Sequence, residues 1–140
     1  MKKSIFVFVL FTSLLACSSE KPVTITQLFE MPDCSGECYQ VMPCEGSEMT
    51  IEVYLTGTNV LANGPRFLFV RDSDDIYKTI QVKFDESIPV DVIKKIDDEF
   101  DQTVFLRGII EGYDLLNQEF CKRAHTLLVQ AESDIWFEKN

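Results

Sequence analysis

The chain has 140 residues and a formal net charge of −10, from 13 basic and 23 acidic side chains. A surface this acidic repels phosphate backbones and anionic lipid head groups at long range, so nucleic acid is an unlikely partner. Hydrophobic residues make up 46% of the chain, which is enough to bury the core of a single domain.

The first residues are arranged like a bacterial secretion signal. Lys2 and Lys3 precede an apolar run, Ile5 to Leu15, that is too short to span a bilayer as a helix. The run ends in Leu-Leu-Ala-Cys, which resembles the cleavage motif of bacterial lipoproteins. The resemblance implies that cleavage precedes Cys17 and that Cys17 is lipidated and anchors the chain to a membrane. The alternative is an ordinary signal peptide cleaved nearby.

This resemblance sets the expected organisation and location. Residues 1–16 form the signal peptide, residues 17–23 the lipidated N-terminus and its tether, and residues 24–140 one folded domain. Two or three acyl chains hold a protein at a membrane essentially permanently. Ser18 follows the lipidated cysteine, which favours the outer over the inner membrane of the cell envelope.

Four further cysteines follow, and an exported chain meets an oxidising compartment. An even set of cysteines there usually forms disulfides, and four allow three connectivities. A zinc site is the alternative, since the first three are spaced tolerably for thiolate ligands. The cysteines concerned are Cys34, Cys38, Cys44 and Cys121.

Residues 24–56 predict a short helix, a loop and a strand. Thr24 and Gln27 have the spacing of a capping box, and Pro32 ends the helix. A cysteine-rich loop follows to Gly46. Apolar residues then alternate with polar ones from Met49 to Thr56, as in a half-buried strand.

The remaining elements alternate between strands and one helix. Residues 66–71 and 76–84 predict a hairpin, and Ser87 caps a helix that extends to Phe100. Residues 103–111 predict the next strand, residues 112–119 a loop, and residues 121–136 contain the last strand.

This order resembles that of the OB-fold. The expected fold is all-β with one helix: a five-stranded Greek-key barrel with a helix between strands three and four, preceded by a short N-terminal helix. Arg66 to Asp72 is similar to a strand in the anticodon-binding OB domains of class II aminoacyl-tRNA synthetases. That resemblance implies that Phe67 stacks a base and Gln81 reads a base edge. The chain also resembles small exported OB-fold proteins of the bacterial periplasm, which act mainly as binding modules.

The barrel expected from this resemblance favours one disulfide pairing. The start of strand one lies near the end of strand four, so Cys44 is expected to pair with Cys121, leaving Cys34 with Cys38. The competing prediction pairs Cys34 with Cys121 and Cys38 with Cys44.

The leading functional hypothesis is a lipid-anchored, non-catalytic binding module for a protein or glycan. Binding is expected to use the face of strands two and three together with the loops 57–65 and 113–120. The expected ligand-binding residues on that face are Phe67, Phe69, Arg71 and Gln81. The alternative is a binder of single-stranded nucleic acid. A third hypothesis, an enzyme using the single histidine His125, lacks a recognisable catalytic motif.

Neither a cofactor nor a metal is expected. The aspartates of residues 72–75 could hold calcium, but an Asp-rich turn more often uses its carboxylates for local hydrogen bonds.

Overall fold

A computed structural model describes residues 21–56, 60–61, 64, 66–117 and 119–138. Two short 3₁₀ turns, Pro32–Cys34 and Glu132–Asp134, accompany the regular elements. Those elements are β1 (Val23–Thr24), α1 (Ile25–Glu30), β2 (Glu48–Thr56), β3 (Val60–Leu61), β4 (Phe67–Arg71), β5 (Thr79–Phe84), α2 (Val90–Asp98), β6 (Phe100–Leu116), β7 (Cys121–Val129) and β8 (Ile135–Phe137).

The strands form one mixed sheet with OB-like topology. Strands β2, β4, β5, β7 and β6 pair in that order, and β6 pairs back with β2. Only the β5–β7 pairing in this circuit is parallel. The predicted order of these strands along the chain is confirmed. The position of α2 between the third and fourth of them in chain order, β5 and β6, is confirmed as well. The predicted count of five is not, because the sheet has eight strands.

The additional strands are short edge segments. Strand β1 runs parallel to β2, β3 pairs with β4, and β8 pairs with β6. Two or three residues carry too little periodicity to be recognised as a strand. The last predicted strand lies within residues 121–136 as β7, which ends at Val129, and the Trp136 region forms the additional strand β8.

The hydrophobic core lies inside the ring of paired strands β2, β4, β5, β7 and β6, and α2 packs against it. Ile93 and Ile96 of α2 are buried against it. The alternation predicted for β2 is confirmed, since Ile51, Val53 and Leu55 are all fully buried. The other strands contribute Leu68, Val70, Ile80, Val82, Phe84, Val104, Leu106, Ile110, Leu127 and Val129.

Helix α2 is shorter than predicted, because Ser87 does not cap it. The Ser87 hydroxyl donates to the Gln130 carbonyl (3.1 Å), and its amide donates to Asp85 Oδ1 (2.9 Å). Pro89 is the residue at the N-cap, and Phe100 already belongs to β6.

The capping box of α1 is present as predicted. Thr24 Oγ1 accepts from the Gln27 amide (3.2 Å), and Gln27 Oε1 accepts from the Thr24 amide (3.0 Å). Buried Asp72 also binds this helix, since its Oδ2 accepts from the Thr26 amide (2.6 Å). α1 is therefore fixed to the β4–β5 turn.

Strand β6 extends past Glu111, where its end was predicted, to Leu116. Its last residues pair with β7 as far as Leu116 opposite Cys121. Strand β2 begins only at Glu48, opposite Ile109, so the β6–β7 hairpin projects beyond it. At about 3.3 Å per residue, this projection is about 23 Å long.

The projection explains why both predicted disulfide pairings are wrong. The disulfides are Cys34–Cys44 (Cα–Cα 5.2 Å) and Cys38–Cys121 (Cα–Cα 5.6 Å). Cys44 is held near the level of Ile110, through Gly46, whose amide donates to the Ile110 carbonyl. Cys121 lies at the far end of the hairpin, out of reach of Cys44.

The bridged sulfurs also rule out the zinc alternative, since no free thiolate remains among these four cysteines. In the described part of the chain, no group of His, Cys, Asp and Glu is placed to hold a metal ion. Nor does any helix there have the length and apolar character to cross a membrane.

Asp72 provides a direct test of how α1 is held. Its carboxylate accepts three backbone amides, from Thr26 (2.6 Å), Asp74 (2.7 Å) and Asp75 (3.0 Å). Because Asp72→Ala leaves these donors without their charged acceptor, we expect it to lower the free energy of unfolding by about 3 kcal/mol. Urea unfolding monitored by circular dichroism measures the change.

The matched control is Asp74→Asn, whose exposed side chain lies in the same turn. We expect this variant to unfold at the wild-type urea concentration. Equal midpoints for Asp72→Ala and the wild type would show that the turn does not hold α1.

Candidate functional site: a groove beside the β6–β7 hairpin

A groove of about 590 Å³ lies on the outer face of β4, β5 and β7. Its side walls come from the segment before β2 and from the β6–β7 hairpin. It is lined by Phe29, Cys34, Ser35, Gly36, Phe69, Tyr77, Lys78, Thr79, Gln81, Tyr113, Leu115, Lys122, Arg123, Ala124 and His125. No carboxylate is among these lining residues, although the chain as a whole is acidic.

The floor of the groove is a row of side chains across three strands. Phe69 of β4 pairs with Gln81 of β5, which pairs with Thr126 of β7. The Thr126 hydroxyl donates to Gln81 Oε1 (3.1 Å). The amide nitrogen of Gln81 has no hydrogen-bond partner among the described residues, and so it can donate to a ligand.

One wall is an aromatic stack built on α1. The rings of Phe29 and His125 are stacked with centroids 5.3 Å apart, and Lys122 Nζ lies 5.6 Å from the Phe29 centroid. The Tyr77 side chain, 89% exposed, lies at the β4–β5 turn, and Tyr113 lies on β6. Flat aromatic faces and cations are thus placed side by side.

His125 has a structural role in this wall. It is buried, and its Nε2 lies 2.7 Å from the Cys34 carbonyl oxygen, to which it donates when protonated there. Burial lowers the pKa of His125, although the hydrogen bond to Cys34 acts in the opposite direction. A neutral imidazole therefore links β7 to the cysteine-rich loop.

Arg123 makes two ion pairs, one to Glu45 of the loop and one to Asp114 within the hairpin. Its Nε and Nη2 donate to Glu45 (2.9 and 2.8 Å), and its Nη1 donates to Asp114 (3.2 Å). The hydrogen bond from Arg123 lowers the pKa of Glu45. Both side chains of the Arg123–Glu45 pair are largely buried, so this contact is well shielded from solvent.

Gly112 makes room for this ion pair. A Cβ at this position would lie 2.1 Å from Glu45 Oε1 and 2.6 Å from Arg123 Nε. The glycine was expected to end the strand, but β6 continues through it. In this strand glycine permits the close approach of another segment.

The four predicted ligand-binding residues all lie on β4 and β5, but only Phe69 and Gln81 line the groove. Phe67 lies two residues before Phe69 on the same face of β4, opposite Lys83. Arg71 donates from Nη1 to the Ile76 carbonyl (2.9 Å), so its guanidinium supports the β4–β5 turn. Ligand binding by all four residues stays a prediction. Much of the expected binding loop 57–65 lies outside the described residues, as does Cys17.

The Asp-rich turn uses its carboxylates as expected for local structure. Asp72 accepts from the Asp74 and Asp75 amides, and Asp75 Oδ1 accepts from the Tyr77 amide (3.0 Å). Burial by itself would raise the pKa of Asp72, but these bonds and the one from Thr26 lower it overall. The turn thereby positions Tyr77 beside the groove.

Tyr113 and Leu115 lie in the expected binding loop 113–120, but they belong to strand β6, because the strand continues past its predicted end. Phe29 was assigned to a helix with no expected link to the barrel. Only the alternation of Tyr113 and Leu115 with Gly112 and Asp114 could have signalled the longer strand.

No protein-family model matches the chain, and neither does any curated protein sequence. Solved structures do resemble it. An aspartyl-tRNA synthetase from Entamoeba histolytica aligns over 84% of this chain, with a TM-score of 0.52 and 14% identity. The matched part is 21% of the synthetase, so this chain corresponds to about a fifth of that enzyme.

Two single-stranded DNA-binding proteins also align with the chain. The mitochondrial protein Rim1 from S. cerevisiae matches over 69% of this chain and 97% of its own, with a TM-score of 0.46 and 12% identity. The Plasmodium falciparum SSB in complex with ssDNA matches over 66% and 94%, with a TM-score of 0.42 and 10% identity. At these identities the likeness concerns the fold alone, which is OB-like as predicted.

The prediction that nucleic acid is an unlikely partner is corrected. It was made from net charge, which averages over the whole surface, whereas no carboxylate lines the groove.

The histidine link predicts how stability depends on pH. Because burial lowers the pKa of His125 below its usual 6.5, the unfolded chain takes up a proton more readily than the folded one. Stability contributed by neutral His125 is therefore complete above pH 6.5 and decreases as the pH falls toward the lowered pKa. We expect the melting temperature to decrease between pH 7.5 and pH 5.

His125→Gln, which cannot titrate, isolates the effect because all other groups are shared with the wild type. We expect this variant to be less stable at pH 7.5 and to show a flatter pH profile. Parallel profiles for the two proteins would exclude His125 as the source.

Proposed function

We propose that this chain is a non-catalytic OB-fold module that binds single-stranded nucleic acid in the groove. The observation that carries the proposal is the composition of the lining: aromatic faces, cationic side chains and one unpartnered amide, without a carboxylate. Proteins that hold single strands combine stacking platforms with positive charge in this way.

Stacking is the first contribution. Phe69, Tyr77 and Tyr113 present rings to the groove from three different strands or turns. Each stacked base contributes about 1–3 kcal/mol regardless of its identity. The groove volume of about 590 Å³ limits the number of bases that it can enclose to a few.

Charge is the second contribution. Lys78 and Lys122 both line the groove. Lys78 donates to Thr26 and pairs with Asp75 (3.9 Å), whereas the exposed Lys122 lies over the Phe29 ring. Few cations mean few phosphate contacts, so the affinity should be modest and only moderately dependent on salt. Acidic residues outside the groove would favour a short strand over duplex DNA.

Export is the third part of the proposal. Disulfides persist in oxidising compartments, so the two bridges support a location outside the cytosol. We place the chain in the bacterial cell envelope, anchored by a lipidated Cys17, with the outer membrane favoured. A nucleic-acid ligand would then be one that occurs outside the cytosol.

Titration with a short fluorescent oligothymidylate at low salt tests the proposal. We expect the wild type to bind and Phe69→Ala to bind about tenfold more weakly, as for loss of one stacked base. Lys122→Gln should reduce the slope of log affinity against log salt by about one.

Phe105→Ala is the matched control, since Phe105 is also a half-buried aromatic on the outer face but stacks on Trp136, away from the groove. Its affinity should equal that of the wild type. Absence of oligonucleotide binding at low ionic strength would refute the function, and a protein or glycan ligand would then have to be sought on the same face.

Mass spectrometry of the chain purified from bacterial membranes tests the anchor. We expect residues 1–16 to be absent and Cys17 to carry acyl chains, whereas Cys17→Ser should remain unacylated and leave the membrane fraction. An unmodified Cys17 in the wild type would disprove lipidation without affecting the groove.

A further inference from the structure

Five large apolar side chains are exposed around the Cys38–Cys121 disulfide. We name this cluster the apolar tip. Its members are Tyr39 (76% exposed), Val41 (76%), Leu115 (44%), Leu116 (58%) and Phe120 (51%). Single exposed apolar residues are ordinary on proteins, but a group of this size in one place indicates an interaction surface.

The fold holds these side chains outward. Leu116 pairs with Cys121, whose disulfide brings Cys38 and therefore Tyr39 to the hairpin. The Tyr39 amide donates to Asp114 Oδ1 (3.0 Å). Asn117 Oδ1 accepts from the amides of Glu119 and Phe120 (both 2.8 Å), which orders the turn. The exposure is thus built into the hairpin.

The apolar tip lies at the end of the sheet where the preceding chain arrives. Val23 of β1 pairs with Ile51, and β1 is parallel to β2, so residues before Val23 continue toward the start of β2. That start, at Glu48, lies opposite Ile109, and β6 continues from there to the tip. The chain that precedes Val23 and the apolar tip therefore lie at the same end of the sheet.

We propose that the apolar tip inserts into the interfacial region of a lipid bilayer. The chain before the described residues contains the apolar run Ile5 to Leu15 and then Cys17. Cys17 is four residues before Lys21, so covalent geometry keeps the two within about 14 Å. A membrane that holds the apolar run or Cys17 therefore lies at the end of the sheet toward which the apolar tip points.

Charge selects the kind of bilayer. Glu119 lies in the turn of the tip and Lys122 pairs opposite Leu115, so the charges beside the tip are of both signs. Attraction to anionic head groups therefore does not drive the contact, whereas burial of leucine and aromatic side chains can. We expect insertion into zwitterionic membranes. The proposal rests on the membrane anchor proposed above and not on nucleic-acid binding.

The test uses the full chain on phosphatidylcholine vesicles that contain brominated lipids, which quench tryptophan at bilayer depth. Phe120→Trp combined with Trp136→Phe places the single tryptophan in the apolar tip. We expect a blue shift and loss of fluorescence on these vesicles. Adding Leu116→Asp to this reporter should reduce the quenching.

The wild-type chain is the matched control, because its single tryptophan, Trp136, pairs with Phe105 on β6. Eleven residues of strand separate Phe105 from Leu116, about 36 Å. We expect Trp136 to remain unquenched on the same vesicles.

Three results would overturn the proposal. The first is an unquenched tip reporter on vesicle-bound chain, and the second is absence of vesicle binding by the full chain. The third is a blue shift of the tip reporter that depends on protein concentration without lipid, which would assign the apolar tip to a second copy of the chain.

Discussion

The structure depends on the attachment of residues 21–47, the N-terminal extension, to the outside of the sheet. Cys38–Cys121 covalently closes 83 residues of chain, which contributes about 4–5 kcal/mol in the chain-entropy model. The Arg123–Glu45 ion pair and the His125–Cys34 hydrogen bond hold the same segment from β7. Each attachment joins residues far apart in sequence, so all of them depend on the sheet being formed.

The groove exists only because of this attachment. The strands by themselves provide a nearly flat floor around Phe69 and Gln81, as on any outer sheet face. Phe29, Ser35 and Gly36 of the N-terminal extension turn that face into a groove with a wall. The attachment also determines the local charge, since it occupies the carboxylates of Glu45 and Asp114 with Arg123. Lys122, beside them, remains available to a ligand.

The sequence predicted the fold well where periodicity is strong and local. Alternation identified β2, β4 and β5, and the Thr24–Gln27 capping box identified α1 because both partners are three residues apart. The prediction failed where one residue type is compatible with two structural roles. Gly112 was interpreted as the end of a strand, but it is small because the Glu45–Arg123 pair lies against it. That single error shortened β6.

The shortened strand accounts for the errors that followed. With β6 ending at Glu111, Cys121 is expected beside Cys44, and the wrong disulfide results. The same error placed Tyr113 in a loop rather than on a strand. Long-range pairings of this kind depend on strand length and register, and neither can be obtained from local composition.

The groove and the apolar tip share one mechanical support. Leu115 lines the groove and belongs to the apolar tip, and the Cys38–Cys121 bridge fixes both surfaces to one hairpin. A ligand in the groove therefore lies beside the surface that points toward the incoming chain. Since this bridge fixes the N-terminal extension to the hairpin, both surfaces depend on the same disulfide.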